Sequence, residues 1–261
     1  MQRFFIPKDW IQQDTVTITG EPLRQIGYVL RLKPSDHIIV LDNSGWEFEV
    51  EIERITKEQA LGKVITKESG HGEPRIKITL YQALLKSDKF ELVLQKGVEL
   101  GVTSFVPFIS ERCISRKESA AKMERWGKII QEAAEQSERL VLPLLHPLIS
   151  LDEACRSVKQ PAFLLWEEEK SESLKQILQN PPFKNASELS LFVGPEGGFP
   201  ESEKNWQNST ASALPPSDGA FSARKRPVWL PSAQSFTKQE KWGKTQIFIY
   251  CFIILGFVLK F

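Results

Sequence analysis

The segment Gly194–Phe199 (G-P-E-G-G-F) has the residue types best suited to close contact with a ligand. It directly follows an apolar run, and glycines there let the backbone approach a bound molecule because no Cβ stands in the way. The alternative is a tight strand-to-helix turn with Glu203 in the first helical turn. The pattern alone does not choose between the two. The segment lacks the G-x-G-x-x-G spacing of a dinucleotide-binding fingerprint.

Two groups of basic residues have the chemistry to contact a phosphate backbone. The first surrounds the start of a predicted helix, and the second follows a predicted strand. A solvated helix face is the alternative for the first group. The net charge is only +1, so any nucleic-acid binding depends on such local patches. The residues are Lys86, Lys89 and Lys96 in the first group and Arg112, Arg116 and Lys117 in the second.

The overall composition is that of an ordinary soluble protein, with 41% hydrophobic and 26% charged residues. On charge alone, near-neutrality favours an enzyme that acts on a small molecule. The length of 261 residues suits one large domain or two modest ones. The N-terminus has no apolar signal-peptide core. The apolar run Ile247–Leu259 is shorter than the roughly 20 residues that a membrane span needs, so we expect no membrane partner.

Other familiar catalytic and metal-binding patterns are absent from the sequence. His37, His71 and His146 are scattered, and no Ser-His-Asp set, metal site or P-loop is found. The three cysteines, at positions 113, 155 and 251, show no paired spacing. We interpret them as reduced thiols of a cytosolic protein. The sequence therefore assigns no catalytic residue.

The elements that must position these residues change character along the chain. Residues 1–70 contain short alternating runs, with a hairpin turn at Asp42–Gly45, and predict a small β-barrel. Glu68–Pro74 reads as a linker. Beyond it, strands alternate with helices and predict a mostly parallel α/β sheet. The predicted strands include V-T-S-F-V-P-F-I, A-F-L-L-W and L-S-L-F-V-G, and the predicted helices are Lys89–Leu100, Lys117–Arg139 and Ser171–Gln179.

Ligands of such sheets bind beyond the carboxyl ends of the strands, which selects the loop after Trp166 and the loop Gly194–Phe199. The helix Lys117–Arg139 also has a polar face. Small residues between its polar side chains allow close helix packing, and a dimer interface or a substrate-binding face would both use such a pattern. The pattern leaves both open. The residues concerned are Glu132, Glu135, Gln136 and Arg139.

Several motifs, in order and from Met1 to about Glu203, together resemble the RsmE family of bacterial 16S ribosomal RNA uridine-N3 methyltransferases. They are M-Q-R-F-F-I-P, Y-V-L-R, K-S-D-K-F-E-L-V-L-Q-K-G-V-E-L-G, P-F-I-S-E-R, E-R-W-G-K-I-I-Q-E-A-A-E-Q-S-E-R and V-G-P-E-G-G-F. Family members often carry a histidine before V-L-R, where this chain has Leu23-Arg24-Gln25. That departure concerns a detail of the barrel.

The resemblance implies a fold and a set of binding residues. We expect a PUA-like RNA-binding β-barrel at 1–70 and a SPOUT-type α/β domain at 75–204, working as a homodimer on 16S ribosomal RNA or the small ribosomal subunit. The family binds S-adenosylmethionine in a C-terminal trefoil knot. The expected cofactor-binding residues are Leu165, Trp166, Gly194, Pro195, Glu196, Gly197 and Gly198. The expected RNA-binding residues are Arg3, Arg31, Lys86, Lys89, Lys96, Arg112 and Arg139.

The segment 205–261 departs from the family's pattern. Where members continue to a segment like S-L-G-x-R-I-L-R-x-E-T-A, this chain has P-P-S-D-G-A-F-S-A-R-K-R-P. When the codons are read one nucleotide earlier, they are compatible with L-G-R-R-I-L-R-T-E-T-A. A one-base deletion near Lys204 or Asn205 produces such a displacement. We therefore expect an out-of-frame tail and an incomplete knot.

Three outcomes follow for the chain as written. It is an enzyme of this family whose tail is an error or a recent lesion, a catalytically dead RNA-binding remnant, or a variant tethered to a membrane by the tail. The resemblance implies three cofactor-binding loops: the one after Trp166, the G-P-E-G-G loop and a third rich in Leu, Gly and Arg. We expect weak or no binding of S-adenosylmethionine, because the third loop is missing from this chain.

Overall fold

The computed structural model describes residues 1–70, 72–114, 117–159, 161–166, 181, 183–200, 203 and 228–231. Its contacts divide the chain into two compact units. The first comprises Met1–Glu73 and Ile130–Leu142, and the second comprises Pro74–Ile129 and Pro143–Phe261. The segment Ile130–Leu142 thus groups with the N-terminal residues, whereas the domain bounds expected from the sequence are contiguous. Those bounds stay a prediction.

The first unit is built around a mostly antiparallel sheet. Its strands are β1 (Gln2–Phe5), β2 (Ile11–Gln12), β3 (Thr15–Ile18), β4 (His37–Leu41), β5 (Trp46–Ile55) and β6 (Ala60–Ser69), and a short helix α1 (Gly20–Arg24) runs into a π-helical turn at Gln25–Val29. These six described strands lie in the order β1-β4-β5-β6-β3-β2. Strand β1 pairs in parallel with β4, and the other neighbours are antiparallel.

The hairpin predicted at Asp42–Gly45 is confirmed, since β4 and β5 pair antiparallel on either side of it. Asn43 and Gly45 turn the chain with φ angles of 63° and 88°. The Asp42 carboxylate accepts a hydrogen bond from the Ser44 amide at 3.1 Å. This turn sets the register that places Ile38 opposite Val50 in the core.

Alternation along β5 directs one face of the sheet into the core of the first unit. Phe48, Val50 and Ile52 are buried, whereas Glu49 and Glu51 between them are half-buried. Successive strand side chains point to opposite faces, so this pattern selects one register. Burial of each such apolar side chain contributes about 1.5–3 kcal/mol.

The second unit carries a parallel sheet and its connecting helices. Its elements are β7 (Lys77–Ala83), α2 (Ser87–Glu99), β8 (Val102–Ile109), α3 (Ala120–Gln136), β9 (Leu144–Leu145), β10 (Ile149–Ser150), α4 (Leu151–Ser157), β11 (Ala162–Trp166), β12 (Glu188–Val193) and β13 (Val228–Pro231). Seven described strands form the sheet, in the order β10-β8-β7-β12-β11-β13 with β9 also beside β8. All neighbours pair in parallel, as the sequence predicts.

Helix α2 buries an apolar face against the sheet and against α3. Phe90, Val93 and Leu94 are buried at helical spacing, and the rings of Phe90 and Trp126 lie 4.3 Å apart. After the helix, Gly101 adopts a φ of 87°, a conformation that suits glycine at a helix C-terminus. The predicted helix of Lys89–Leu100 is therefore found, one to two residues displaced at its ends.

Helix α3 is shorter than the predicted Lys117–Arg139. At its start the Ser119 hydroxyl accepts a hydrogen bond from the Lys122 amide at 3.3 Å, which caps the first turn. At its end the Ser137 hydroxyl donates to the Ala133 carbonyl, and Glu138 has a φ of 59°. A residue in the left-handed conformation cannot continue a right-handed helix. The predicted helix therefore extends further than the observed one, which ends at Gln136.

Three predicted features lie outside the described residues. They are the helix Ser171–Gln179, the loop after Trp166 and the apolar run Ile247–Leu259. Among the helices that the structure describes, none has the length and hydropathy to cross a membrane. Strand β13 falls within the segment expected to be out of frame, and it pairs with β11 so that Trp229 lies beside Leu164.

Candidate functional site

The loop Gly194–Phe199 leaves the carboxyl end of β12 as a tight turn. The Gly198 amide donates to the Pro195 carbonyl at 2.9 Å, and Gly198 has a φ of 65°. A Cβ at Gly194 would lie 2.9 Å from the Phe199 ring. Phe199 is itself buried and stacks on Phe108 of β8. Glycine is thus required at 194 by close packing and at 198 by backbone conformation.

Gln82, near the carboxyl end of β7, connects the centre of the sheet to this loop. Its side chain is 2% exposed, and Nε2 donates to the carbonyls of Ala83 at 3.0 Å and Gly194 at 3.4 Å. Because both neighbours are acceptors, the amide nitrogen must face them. This orientation leaves Gln82 Oε1 buried without a hydrogen-bond partner.

Two cations from neighbouring elements contact the same loop. Arg112, which follows β8, donates through Nη1 to the Gly197 carbonyl at 2.7 Å. Lys89 of α2 places Nζ 3.5 Å from Glu196 Oε1. Both were predicted as RNA-binding residues, and here each also helps to hold the loop. Their contact with RNA stays a prediction.

Glu203 joins the site, although the sequence suggested for it only a place in a first helical turn. Its Oε1 accepts a hydrogen bond from the Glu111 amide at 2.6 Å. Burial raises the pKa of the Glu203 carboxyl above its usual value, while the Glu111 amide, the Ser110 side chain and the nearby Arg112 oppose that rise. Its position next to the end of β8 could not be predicted from the residues around it in the sequence.

Buried polar atoms without hydrogen bonds concentrate at this edge of the sheet. Of six such side-chain atoms among the described residues, four lie here. They are Gln82 Oε1, Ser110 Oγ, Glu196 Oε1 and Glu203 Oε2. Buried polar groups in folded proteins almost always have partners, so this concentration indicates a place where a polar ligand completes the bonding.

The predicted cofactor-binding residues fall at one edge of the sheet. Leu165 and Trp166 end β11, which pairs in parallel with β12, and residues 194–198 follow β12. Parallel neighbours end at the same edge, so the two sets are adjacent in the fold. The side chains of Leu165 and Trp166 are outside the described part of the structure, as is the loop that follows them.

The remaining predicted RNA-binding residues divide into paired and exposed groups. Arg3 forms an ion pair with Glu47 in the first unit, and its side chain is 13% exposed. Arg139 is 3% exposed, with Nη2 at 2.8 Å from Glu73 Oε2. These contacts are internal, and the RNA-binding role of both arginines stays a prediction. Of the others, Lys96 pairs with Glu99, whereas Lys86 and Arg31 are exposed.

Two of the three cysteines are described, and both are free and buried. Burial raises the pKa of the Cys155 thiol to about 12. Cys113 accepts a hydrogen bond from the Ser110 amide at 3.3 Å, and burial raises its pKa as well. Both side chains are therefore neutral thiols at physiological pH, which suits packing better than nucleophilic attack. No group of three or more potential metal ligands is found among the described residues.

Comparison with known proteins identifies the family. A model of the RNA methyltransferase domain matches residues 72–213, and a model of the RNA methyltransferase PUA domain matches residues 26–65. Ribosomal RNA small subunit methyltransferase E of Bacillus subtilis is 33% identical over 215 residues, covering 78% of this chain and 83% of that protein. The chain belongs to the ribosomal RNA small subunit methyltransferase E family.

Other members of this family agree with that assignment. The enzyme of Mesomycoplasma hyopneumoniae is 31% identical over 206 residues, which cover 78% of this chain and 85% of that protein. The crystal structure of the enzyme from Neisseria gonorrhoeae, bound to S-adenosyl methionine, has a TM-score of 0.77 and 25% identity, covering 98% of this chain and 96% of that one. A putative methyltransferase from Legionella pneumophila, in complex with the same cofactor, has a TM-score of 0.78 and 25% identity, covering 97% and 96% of the two chains.

The expected fold class, a PUA-like domain followed by an α/β methyltransferase domain, is confirmed by these matches. The residues at the sheet edge also suit the cofactor of the two structural relatives. S-adenosylmethionine carries an ammonium group, an exocyclic amine and ribose hydroxyls, all of which donate hydrogen bonds. The buried oxygens of Gln82 and Glu196 are acceptors without hydrogen bonds. Gly198 provides backbone with open space beside it, whereas Phe199 lies beside Gly194 and Arg112 beside Gly197.

Proposed function

We propose that this protein is an S-adenosylmethionine-dependent methyltransferase of small-subunit ribosomal RNA. Membership of the family supports this assignment, and the observation that carries it is the loop Gly194–Phe199. That loop is fixed at the carboxyl edge of a parallel sheet, next to the buried oxygens of Gln82 and Glu196, which accept no hydrogen bond from the described residues. Ligands of open α/β sheets bind at this edge.

The residues of this chain would hold the cofactor by its polar groups and by shape. S-adenosylmethionine supplies a methyl group on a positively charged sulfur, which is open to attack by a nucleophile. Gln82 and Glu196 accept hydrogen bonds from the cofactor's donors, and Gly197 and Gly198 allow it to lie against the backbone. Leu165 and Trp166 end the neighbouring strand β11 at the same edge of the sheet. Lys89 and Arg112 hold the loop in place through Glu196 and the Gly197 carbonyl.

The target atom we propose is N3 of a uridine in 16S ribosomal RNA, as the family resemblance implies. This nitrogen carries a proton that must leave before or during attack on the methyl group. A cation near the base stabilises the uridine anion that forms. Arg112 and Lys89, which contact the cofactor loop, supply such a positive potential. The base must be unpaired to reach the site, because an A-form helix hides its Watson–Crick edge.

We further propose that the working enzyme is a cytoplasmic homodimer. The free cysteines Cys113 and Cys155 fit a reducing compartment. The dimer is an expectation from the family resemblance, and sedimentation velocity on the purified protein tests it. A monomer at micromolar concentration would contradict it.

We propose that the reading frame of this gene is displaced by one base near Lys204. The alternative frame continues beyond the string L-G-R-R-I-L-R-T-E-T-A. Codons for Pro227 to Ser232 are compatible in that frame with G-L-A-A-L, in which the four residues after glycine are good helix formers. The written frame has prolines at 227 and 231 instead. The chain as written therefore keeps the N-terminal RNA-binding unit and lacks the last cofactor loop.

Resequencing of the genomic DNA over the codons for Glu201–Asn208 tests this displacement directly. In parallel, the chain as written and a version with the frame restored are assayed for transfer of labelled methyl groups from S-adenosylmethionine to small ribosomal subunits. We expect transfer from the restored version alone, at N3 of one uridine. Transfer from the chain as written would refute the loss of the cofactor site, and no transfer from either would refute the proposed activity.

A further inference from the structure

The segment Tyr28–Lys33 of the first unit presents an aromatic ring and two cations to solvent. Tyr28 is 69% exposed, and Val29 next to it is 60% exposed. Arg31 and Lys33 are exposed as well. The side chains of Tyr28, Arg31 and Lys33 make no hydrogen bond, ion pair or ring contact with the other described residues. These three side chains are therefore available to a partner.

The backbone of this segment is fixed by the core of the first unit and by hydrogen bonds. Leu30 and Leu32, which alternate with exposed residues, pack against the core. The Leu30 amide donates to the Gln25 carbonyl at 2.8 Å, and the Leu32 amide donates to the Ile26 carbonyl at 3.0 Å. The first of these bonds closes a π-helical turn, a feature that is frequent at functional sites. The exposed side chains thus stand on a defined support.

Arg31 has a backbone conformation that is unfavourable for a residue with a Cβ. Its φ is 55°, in the left-handed region. Strained residues of this kind are found preferentially at binding and catalytic sites. Two residues later, the Lys33 amide donates to the Asp36 carboxylate at 2.7 Å. Asp36 therefore supports the backbone of the segment, and the Lys33 ammonium forms no ion pair with it.

A cavity of about 500 Å³ adjoins this segment and carries the opposite charge. Glu132, Glu135 and Glu138 line its walls, and the two arginines there, Arg3 and Arg24, are already in ion pairs with other glutamates. Such walls repel a phosphate group. The two exposed cations of the segment do not line the cavity. A polyanion is therefore directed to those cations and away from the cavity.

We infer that Tyr28 stacks on an unpaired base of the RNA substrate while Arg31 and Lys33 contact the phosphates beside it. Proteins hold single-stranded RNA by such stacking combined with cations along the backbone. The Cα atoms of Tyr28 and Arg31 are at most about 11 Å apart, so both side chains reach one short stretch of RNA. The model of the RNA methyltransferase PUA domain covers this segment. The inference rests on the proposed function in taking RNA as the ligand.

Two other kinds of ligand compete with RNA for this segment. A cationic ligand is disfavoured, because Arg31 and Lys33 are unpaired and would repel it. An anionic partner without bases would suit the two cations equally well, but it would gain little from the Tyr28 ring, whose face suits a nucleobase. The contribution of Tyr28 therefore distinguishes RNA from other polyanions.

The test measures binding of a labelled, unstructured single-stranded RNA to the full chain by fluorescence anisotropy at several salt concentrations. We expect Tyr28→Ala to lower the affinity about tenfold at each of them with an unchanged salt dependence, because stacking releases no counterion. Tyr28→Phe keeps the ring and should retain the wild-type affinity. Trp46→Ala removes another exposed ring of the same unit and is the matched control, which should bind as wild type does.

Two results with these variants would overturn the inference. The first is equal affinity of Tyr28→Ala and wild type. The second is an equal loss for Tyr28→Phe and Tyr28→Ala, since stacking needs only the ring.

The phosphate contact is tested with a pair of arginine variants. Arg31→Ala should weaken binding a few-fold and lower the salt dependence by about one counterion. Arg24→Ala removes the same charge from a guanidinium that Glu21 already pairs, so it should change both quantities less. The opposite order would contradict a phosphate at Arg31.

A competitor without bases separates RNA from other polyanions. Heparin should bind Tyr28→Ala and wild type equally, and an equal loss for heparin and RNA would refute base stacking. If the wild-type chain binds no RNA, the inference fails together with the RNA substrate of the proposed function. RNA binding that depends on Tyr28, without methyl transfer, supports the inference and refutes the proposed activity alone.

Discussion

The two units of this chain differ in where their buried polar atoms remain without hydrogen bonds. Among the described residues, the first unit has one such atom, Arg3 Nε, and the second has five. Four of those five lie at the carboxyl edge of the parallel sheet. Antiparallel pairing and ion pairs satisfy the first unit internally, whereas the second leaves acceptors beside a glycine-rich loop. The difference indicates that the second unit is built around a ligand that its own side chains do not replace.

The largest expected effect in this comparison is on the packing of the second unit. Trp126→Ala removes a fully buried ring that packs on Phe90, and we expect the free energy of unfolding to fall by about 3–5 kcal/mol. Urea denaturation measures it. Trp46→Ala in the first unit is the control, because Trp46 is 42% exposed and should cost far less. Equal losses for the two variants would contradict the assignment of Trp126 to the core.

The next effect concerns the loop Gly194–Phe199. Gly194→Ala brings a Cβ within 2.9 Å of the Phe199 ring, and we expect it to destabilise the protein by about 1–3 kcal/mol and to displace the loop. Gly197→Ala is the matched control, since its nearest neighbour would be Arg112 at 3.5 Å and its φ is not positive. Thermal unfolding of both variants measures the difference. A Gly194→Ala variant as stable as Gly197→Ala would show that close packing does not require glycine at 194.

A smaller effect tests the internal pairing of the first unit through pH. Burial alone raises the pKa of Glu73, but hydrogen bonds from Arg139 and from the amides of Leu140 and Val141 hold it below its usual value. A carboxyl whose pKa is lowered on folding stabilises the protein above its unfolded pKa, and that stability is lost as pH falls through the folded pKa. Glu73→Gln should therefore cost about 1–2 kcal/mol at neutral pH and progressively less in acid.

Chemical denaturation at a series of pH values between neutral and strongly acidic checks this expectation. The wild-type curve should approach that of Glu73→Gln as the carboxyl becomes protonated. Glu124→Gln controls for the loss of one exposed carboxylate. A difference between wild type and Glu73→Gln that does not change with pH would mean that the ion pair with Arg139 contributes nothing that protonation removes.

The smallest expected effect is on RNA affinity, and it distinguishes an exposed lysine from one that is ion-paired. Lys86 is exposed, whereas Lys96 is paired with Glu99 at 2.8 Å. If Lys86 contacts a phosphate, Lys86→Ala should weaken RNA binding a few-fold and reduce the salt dependence by about one counterion. Lys96→Ala should change less. Anisotropy titrations at several salt concentrations measure the RNA affinity of both variants. A larger loss of affinity for Lys96→Ala than for Lys86→Ala would place the RNA on the Lys96 side of α2.

Much of the fold could be predicted because its signals are local. The alternation along β5, the turn at Asp42–Gly45 and the apolar spacing of Phe90 and Leu94 each follow from residues near one another in the chain. The ends of α3 could not be predicted in this way. They depend on the left-handed conformation of Glu138 and on a cap by Ser119. Neither feature could be predicted, because the residues around both positions follow a helical pattern.

The candidate site was predictable in part for the same reason. The loop Gly194–Gly198 stands out by composition, and its place after a strand follows from the run before it. Gln82 and Glu203 were missed, because their roles depend on contacts across 112 and 92 positions of sequence separation. The ion pair between Arg139 and Glu73 could not be predicted for the same reason, and contact of Arg139 with RNA stays a prediction.

The sequence by itself determined the family, the alternation of strands and helices, and the loop where a cofactor is expected. These depend on the order of the residues and on motifs that are present in the sequence itself. The tertiary structure alone decided which cations are engaged, which acceptors are buried without partners, and that a polar cavity forms where β1 meets the end of α3. Parallel strands bring distant residues to one edge of the sheet, and burial then makes each unpaired polar atom costly. Neither effect can be read along a single segment of chain.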